Sequence, residues 1–151
     1  MAGFTNYFRN KLVDWFHRGV LFTPPDPVFI RLVSTTPTPS SAGTELTGTG
    51  YAAVSVAKSA IAWAATNADA SVPNPSTGTT GTTSNNAVIN FGTAGSAWGT
   101  VSYWEMWDAS TGGNRLLYGE IVDAAGTATP RSIANGDPVS FPISALRIVW
   151  S

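Results

Sequence analysis

Few side chains in this sequence belong to the types that carry out chemistry. There is one histidine, His17, and no cysteine. A Ser-His-Asp arrangement would have to use His17, and no nucleophile-elbow sequence accompanies it. Its place at the end of an apolar-periodic stretch suits a residue stabilised by a helix C-terminus. Without cysteine there can be no disulfide, thiolate nucleophile or cysteine zinc site, and the redox compartment stays open. A calcium loop needs acidic ligands at alternate positions around a glycine, and Asp108 to Asn114 lacks that density. Gly112-Gly113 follows no strand-to-helix pattern, so it reads as a turn and not as a phosphate cradle. What remains is a pair of carboxylates. Glu105 and Glu120 fall on neighbouring strands of a predicted hairpin, with Asp108 and Asp123 close by, as glycoside cleavage would need. The same acids suit a solvated edge or an ion pair with Arg115. The reading is that the chain is not an enzyme and uses no cofactor or metal.

Aromatic residues are the unusual inventory. Four of the six tryptophans (Trp98, Trp104, Trp107 and Trp150) lie in the C-terminal half. Exposed indoles stack on sugar rings, which keeps glycan binding open. Burial in a core or an interface is the commoner fate of so large a side chain.

These residues must be positioned by the stretch from Trp98 to Val122. Val101 to Trp107 reads as a strand, Asp108 to Asn114 as a polar turn and Arg115 to Val122 as the returning strand. Gly and Asn in the turn accept positive φ, and the Asp108 side chain can bond nearby backbone. Alternation splits the first strand into Val101/Tyr103/Glu105/Trp107 and Ser102/Trp104/Met106/Asp108, and neither set is cleanly polar. Both faces are therefore expected to be covered, one by the core and one by a neighbour.

Ahead of the hairpin, residues 5 to 18 read as a helix. Thr5 is a good N-cap, Phe4, Phe8, Leu12, Trp15 and Phe16 recur at helical spacing, and Gly19 is the expected C′ residue. Asp14 and Arg18 lie one turn apart and can pair. The helix either plugs the open side of a sheet or docks on another subunit. Residues 1–19 form this element and 20–151 a single β domain. Its strands are expected at Val28 to Ser34, Tyr51 to Val56, Ala60 to Ala64, Ala87 to Phe91, Val139 to Phe141 and Ala145 to Trp150. Long loops separate them at 35–50 and 67–86. The second is a low-complexity run with too few apolar residues to offset its ordering entropy, so it is either disordered or held by a partner. Asp123 to Arg131 reads as a further loop. The fold class is mostly β, an antiparallel sandwich or jelly-roll-like barrel with one N-terminal α-helix.

Composition points the same way. The 151 residues suffice for one domain with a real core. Charged residues make up 11%, against roughly 25% in an average soluble protein. Thr, Ser, Ala and Gly take their place, giving a neutral surface rich in hydroxyls that suits a protein packed against other protein. A net charge of −1 offers no electrostatic footprint for nucleic acid or an anionic membrane. The N-terminus lacks the order of a secretory signal, and no apolar run approaches the ~20 residues of a membrane span.

Pieces spread along the chain carry a resemblance. They include Phe4-Thr5-Asn6-Tyr7, Phe22-Thr23-Pro24-Pro25, Thr36-Pro37-Thr38 with Gly43-Thr44-Glu45, and Gly50-Tyr51-Ala52. Trp98-Gly99-Thr100-Val101, Trp107-Asp108-Ala109, Thr111-Gly112-Gly113-Asn114, Leu116-Leu117-Tyr118-Gly119 and Asn135-Gly136-Asp137 follow in order. Together they resemble a family of small virion structural proteins of tailed bacteriophages, tail-fibre-like or capsid-decorating. Trp104-Glu105-Met106-Trp107 departs from the family pattern, as does the length of the Asp123 to Arg131 loop.

The resemblance implies a virion structural role without catalysis, in many copies on a symmetric particle. The favoured expectation is a capsid decoration (cement) protein on the capsid exterior, assembled in the host cytoplasm. It would be a homo-oligomer, most simply a trimer, bound to the major capsid protein or other virion proteins, with no nucleic acid or membrane partner. The alternative is a tail-fibre or head-spike module that meets a host surface glycan through Trp98, Trp104 and Trp107. The candidate contact residues are Phe4, Tyr7, Phe8, Trp15 and Phe16 on the helix, and Trp98, Trp104, Met106 and Trp107 on the hairpin.

Overall fold

The computed structural model describes residues 2–67 and 75–150. Of the expected loop at 67–86, residues 68–74 lie outside the described residues. In chain order the elements are β1 (Gly3–Phe4), α1 (Asn6–His17), β2 (Val28–Val33), β3 (Val54–Val56), β4 (Thr82–Ser84) and β5 (Ile89–Thr93). They continue with β6 (Gly99–Val101), β7 (Tyr103–Trp107), β8 (Arg115–Glu120), β9 (Arg131–Ile133), β10 (Pro138–Phe141) and β11 (Arg147–Val149). An open five-stranded antiparallel sheet runs β1-β8-β7-β2-β3. Three two-stranded ribbons, β10-β5, β11-β4 and β6-β9, form the opposing layer. The fold is mostly β and sandwich-like, and the open sheet order shows that it is not a closed barrel.

The register assigns every side chain of the large sheet to a face. Ile30 lies opposite Met106, Leu32 opposite Trp104, and Met106 opposite Leu117. These residues join Val28, Val56, Ile89, Phe91, Val101, Ile133, Val139 and Ile148 in one core shared by the two layers. Trp104 also pairs with Gly119, and a Cβ on Gly119 would meet the indole at 2.6 Å, so only glycine fits beneath the ring. The other face carries Arg31 opposite Glu105, and Glu105 opposite Tyr118. A register shift between Met106 and Trp107 lets both Leu116 and Leu117 enter the core.

Several boundaries differ from those the sequence implies. The apolar run Val101 to Trp107 is broken at Ser102, where the chain leaves β6, paired with β9, and enters the large sheet as β7. Ser102 N–H donates to Val33 O, so the crossing is itself hydrogen-bonded. Ala60 to Ala64 is not a strand. Ser59 opens that segment as a turn, its carbonyl accepting from Ala62 N and Trp63 N, and only Trp63 forms a bridge, to Asn85. Thr82–Ser84, inside the low-complexity run, is a strand because β11 pairs with it. Likewise Arg131–Ile133, at the end of the expected loop, pairs with β6.

Asn85 holds the second layer together. It is fully buried, its Nδ2 donates to Ala87 O at 2.9 Å and Pro142 O at 2.7 Å, and its Oδ1 accepts from Leu146 N at 2.8 Å. The side chain thus acts as an extra peptide group between the β4–β5 connection and the 142–146 turn. Asn85→Ala is expected to lower stability by about 1–3 kcal/mol, because Leu146 N–H and two carbonyls lose partners in a site closed to water. Thermal unfolding of the variant against the parent checks this.

Candidate functional site

The polar face of the large sheet was expected to meet a neighbour. Instead the chain covers it itself. Residues 34–46 fold back as a flap, with Ser34 N donating to Thr44 O at 2.9 Å and Val33 bridging Glu45. Beneath the flap Glu105 is 1% exposed. Its Oε1 accepts from Arg115 Nη1 at 2.6 Å and from Gly43 N at 2.8 Å, and its Oε2 accepts from Trp107 Nε1 at 3.0 Å. Arg115 Nη2 donates to Thr38 O on the flap. Gly43 is required there, since a Cβ would meet Thr35 O at 2.5 Å. Arg31 completes the layer. It stacks over the Trp107 ring at 4.1 Å, donates to Ala109 O and Gly112 O of the hairpin turn, and pairs with Glu45 at 3.4 Å. Tyr51 donates to Glu45 Oε1 at 3.0 Å and accepts from Leu32 N at 3.0 Å. Burial, with help from the Glu45 carboxylate, pushes its hydroxyl well above the usual phenol range, so it stays a donor.

This arrangement explains why Glu105 and Glu120 do not form an acid–base pair. Glu105 offers no free lone pair toward solvent, whereas Glu120 is exposed. Asp108 is spent on the turn, accepting from Asn114 N at 2.6 Å and Asn114 Nδ2 at 2.9 Å. Asp123 caps its own loop through Ala125 N and Thr127 N, both at 2.9 Å. His17 sits in the last turn of α1 with its ring 5.2 Å from that of Phe16. No group of three or more acidic or histidine side chains that could hold a metal occurs among the described residues.

The hairpin aromatics proposed as contact residues are placed inside the chain. Trp98, Trp104 and Met106 are buried core residues, and Trp98 Nε1 donates to Thr49 O at 3.0 Å. Trp107 is half-buried under Arg31. Alternation sends Trp104 and Met106 to the core face, and on the opposite face Arg31 stacks over Trp107. The platform imagined for a sugar ring at Trp98, Trp104 and Trp107 does not exist.

The helix residues fall into two groups. Thr5 anchors the first. Its hydroxyl caps α1 by accepting from Phe8 N at 3.2 Å and donates to Arg115 O at 2.6 Å, while Thr5 N donates to Leu116 O. Phe4 and Phe8 pack with Trp150 at 5.0 and 6.3 Å, Phe8 meets Phe22 at 6.0 Å, and Tyr7 is half-buried beside them. The second group is largely exposed. Trp15 and Phe16 are 52% and 74% exposed, and Val20 and Leu21, beyond Gly19, are 50% and 84% exposed. No side chain of α1 is fully buried. Between the helix and the body runs a groove of about 440 Å³, lined by Leu12, Trp15, Phe22, Trp63, Ile148 and Trp150 among others.

Arg31 and Asn85 were not singled out from the sequence, and Gly43 and Glu45 entered only as pieces of the resemblance. Arg31 gave one signal, a lone charge in a strand apolar on both sides, which must be paired when buried. Gly43 and Asn85 act through partners tens of residues away.

A sequence model of the family described as Podophage GP4 fiber I protein gp80 matches residues 3–149. The chain belongs to this family. No curated protein matches it. Membership makes the chain a virion structural protein of tailed phages, fibre-like, that contacts other virion proteins. Among the described residues of this fibre-family member, no helix is long and apolar enough to cross a membrane.

Proposed function

We propose that the protein is a fibre-type virion subunit attached to the particle through its N-terminal arm, residues 2–25, with the β domain displayed outward. The observation that carries this reading is the exposed run Trp15, Phe16, Val20 and Leu21 beside an apolar groove. Large apolar side chains gathered on one side of a domain mark a protein contact, whereas scattered ones need no explanation. The subunit acts as a homo-oligomer, a trimer being the simplest closed form for a fibre. The structural role is passive, without a reaction.

A second reading, a capsid decoration protein on the major capsid protein, is favoured by the sparse charge and hydroxyl-rich composition. Copy number separates the two. Gel densitometry of purified particles against the major capsid protein should give on the order of dozens of copies or fewer for a fibre and hundreds for decoration, as symmetry dictates.

The attachment reading predicts that Trp15→Ser/Phe16→Ser/Leu21→Ser leaves the fold intact, each exposed position contributing within about 0.5 kcal/mol. The same variant should no longer co-sediment with particles assembled without the protein. Saturation of such particles by the variant at parental concentration would remove the arm from the contact.

A further inference from the structure

The attachment reading names a face but not the chemistry of what meets it, and the charges around the groove bear on that. Lys58 is the one charged residue in the groove lining. Arg9 and Lys11 lie outside the lining, on the helix surface to either side of the stripe Phe8, Leu12 and Trp15, with Lys11 Nζ 5.5 Å from the Tyr7 ring. Two carboxylates lie nearby. Asp14 pairs with Arg18 at 3.0 Å, whereas Asp26 accepts only from the backbone N–H of Lys58, at 2.9 Å, and keeps its charge, so the rim sets three cations against one unpaired carboxylate. Arg9, Lys11 and Lys58 make no ion pair among the described residues. The face is therefore apolar in its floor and cationic at its rim, on a chain whose net charge is −1.

That pattern discriminates among occupants. A second copy seated face to face would bring the three cations against their own counterparts, and like charges in an interface are costly. A glycan could stack on Trp15, Trp63 or Trp150, but besides the indole N–H groups it would find only Thr83 and Lys58 as polar side chains in the lining, too few to replace the water on its hydroxyls. A protein segment with apolar anchors and flanking carboxylates satisfies both floor and rim. We propose that the groove of the N-terminal arm receives an acidic, apolar segment of a different virion protein, its side chains entering between α1 and the body and its carboxylates meeting Arg9, Lys11 and Lys58. This rests on the attachment reading.

The test uses the full chain and particles assembled without it, in co-sedimentation at low and raised salt. Arg9→Gln/Lys11→Gln/Lys58→Gln should weaken binding roughly tenfold or more, and the corresponding triple Glu variant should abolish it. Parental binding should weaken as salt rises. Circular dichroism checks that both variants remain folded. If the triple Glu variant binds like the parent while the Trp15/Phe16/Leu21 serine variant does not, the partner is apolar and uncharged, and the acidic segment is wrong although attachment stands. If neither set of changes affects binding, the attachment reading itself falls. Self-association of the parent, lost in the serine variant, would identify a second copy as the occupant and overturn the proposal. Charge-dependent binding to phosphatidylglycerol vesicles without binding to particles would overturn it in favour of a lipid surface.

Discussion

Glu105→Ala is expected to destabilise the protein by about 3–5 kcal/mol, the usual cost of stranding one member of a buried ion pair. The substitution leaves the Arg115 guanidinium facing the underside of the flap with one carbonyl, Thr38 O, as its remaining acceptor. It also frees Gly43 N–H and Trp107 Nε1–H, both bonded only through that carboxylate. For a chain of this length the loss corresponds to roughly 10 °C in Tm. Urea titration should show a lower midpoint with unchanged slope, and limited proteolysis should cut first within residues 34–46. Glu105→Leu/Arg115→Met should recover much of the loss, since a well-packed apolar pair can replace a buried ionic one. A single-variant cost below ~1 kcal/mol would mean that water reaches the carboxylate and that the flap does not seal it.

Trp104→Ala carries the second large expectation, a loss of about 3–5 kcal/mol from deletion of a buried aromatic side chain. The indole fills the space over Gly119, which has no side chain to close the gap, so the hole does not collapse. The consequence is global. Denaturant midpoint and near-ultraviolet dichroism should both fall, together with any binding that depends on the folded domain. A glycan platform would behave differently, losing one ligand with the fold intact. A Trp104→Ala protein of parental stability that had lost a single binding activity would contradict the placement of Trp104 in the core.

Local signals in the sequence were enough for the elements whose partners lie nearby. Thr5, the apolar stripe and Gly19 mark α1 because caps and periodicity act within a few residues, and Gly19 does take φ +69°. The hairpin of β7 and β8 was equally legible, because Gly112 and Gly113 adopt the positive φ the turn demands. Glu105 was correctly matched to Arg115 as one of its options. What escaped depends on distant partners. Thr82–Ser84 is a strand only because residues 147–149 return to it, and no property of Thr-Thr-Ser announces that. The break at Ser102 is hidden in an apolar run that looks continuous in one dimension. Coverage of the second face was anticipated, but its source was not. A neighbour and the chain's own flap impose the same demand on Tyr103, Glu105 and Trp107, and composition cannot tell them apart. For the candidate site, Trp15 and Phe16 were legible as a greasy helix end. The hairpin tryptophans were misassigned, because indoles look alike in sequence whether they face a core or a partner.

The arm's backbone meets the sheet along Gly3–Thr5, laid against the outer edge of β8, with one further backbone bond from Asn6 N to Pro39 O, and Phe4 and Phe8 pack on Trp150. By contrast β7 is flanked on both sides by partners along its length. If the particle grips α1, mechanical load from the displayed domain must pass through that narrow seam. The seam is expected to yield before the sheet shears, leaving residues 18–27 as a tether. Such a subunit could be tugged and swivelled by a moving host cell without losing its fold, in the manner of a breakaway coupling.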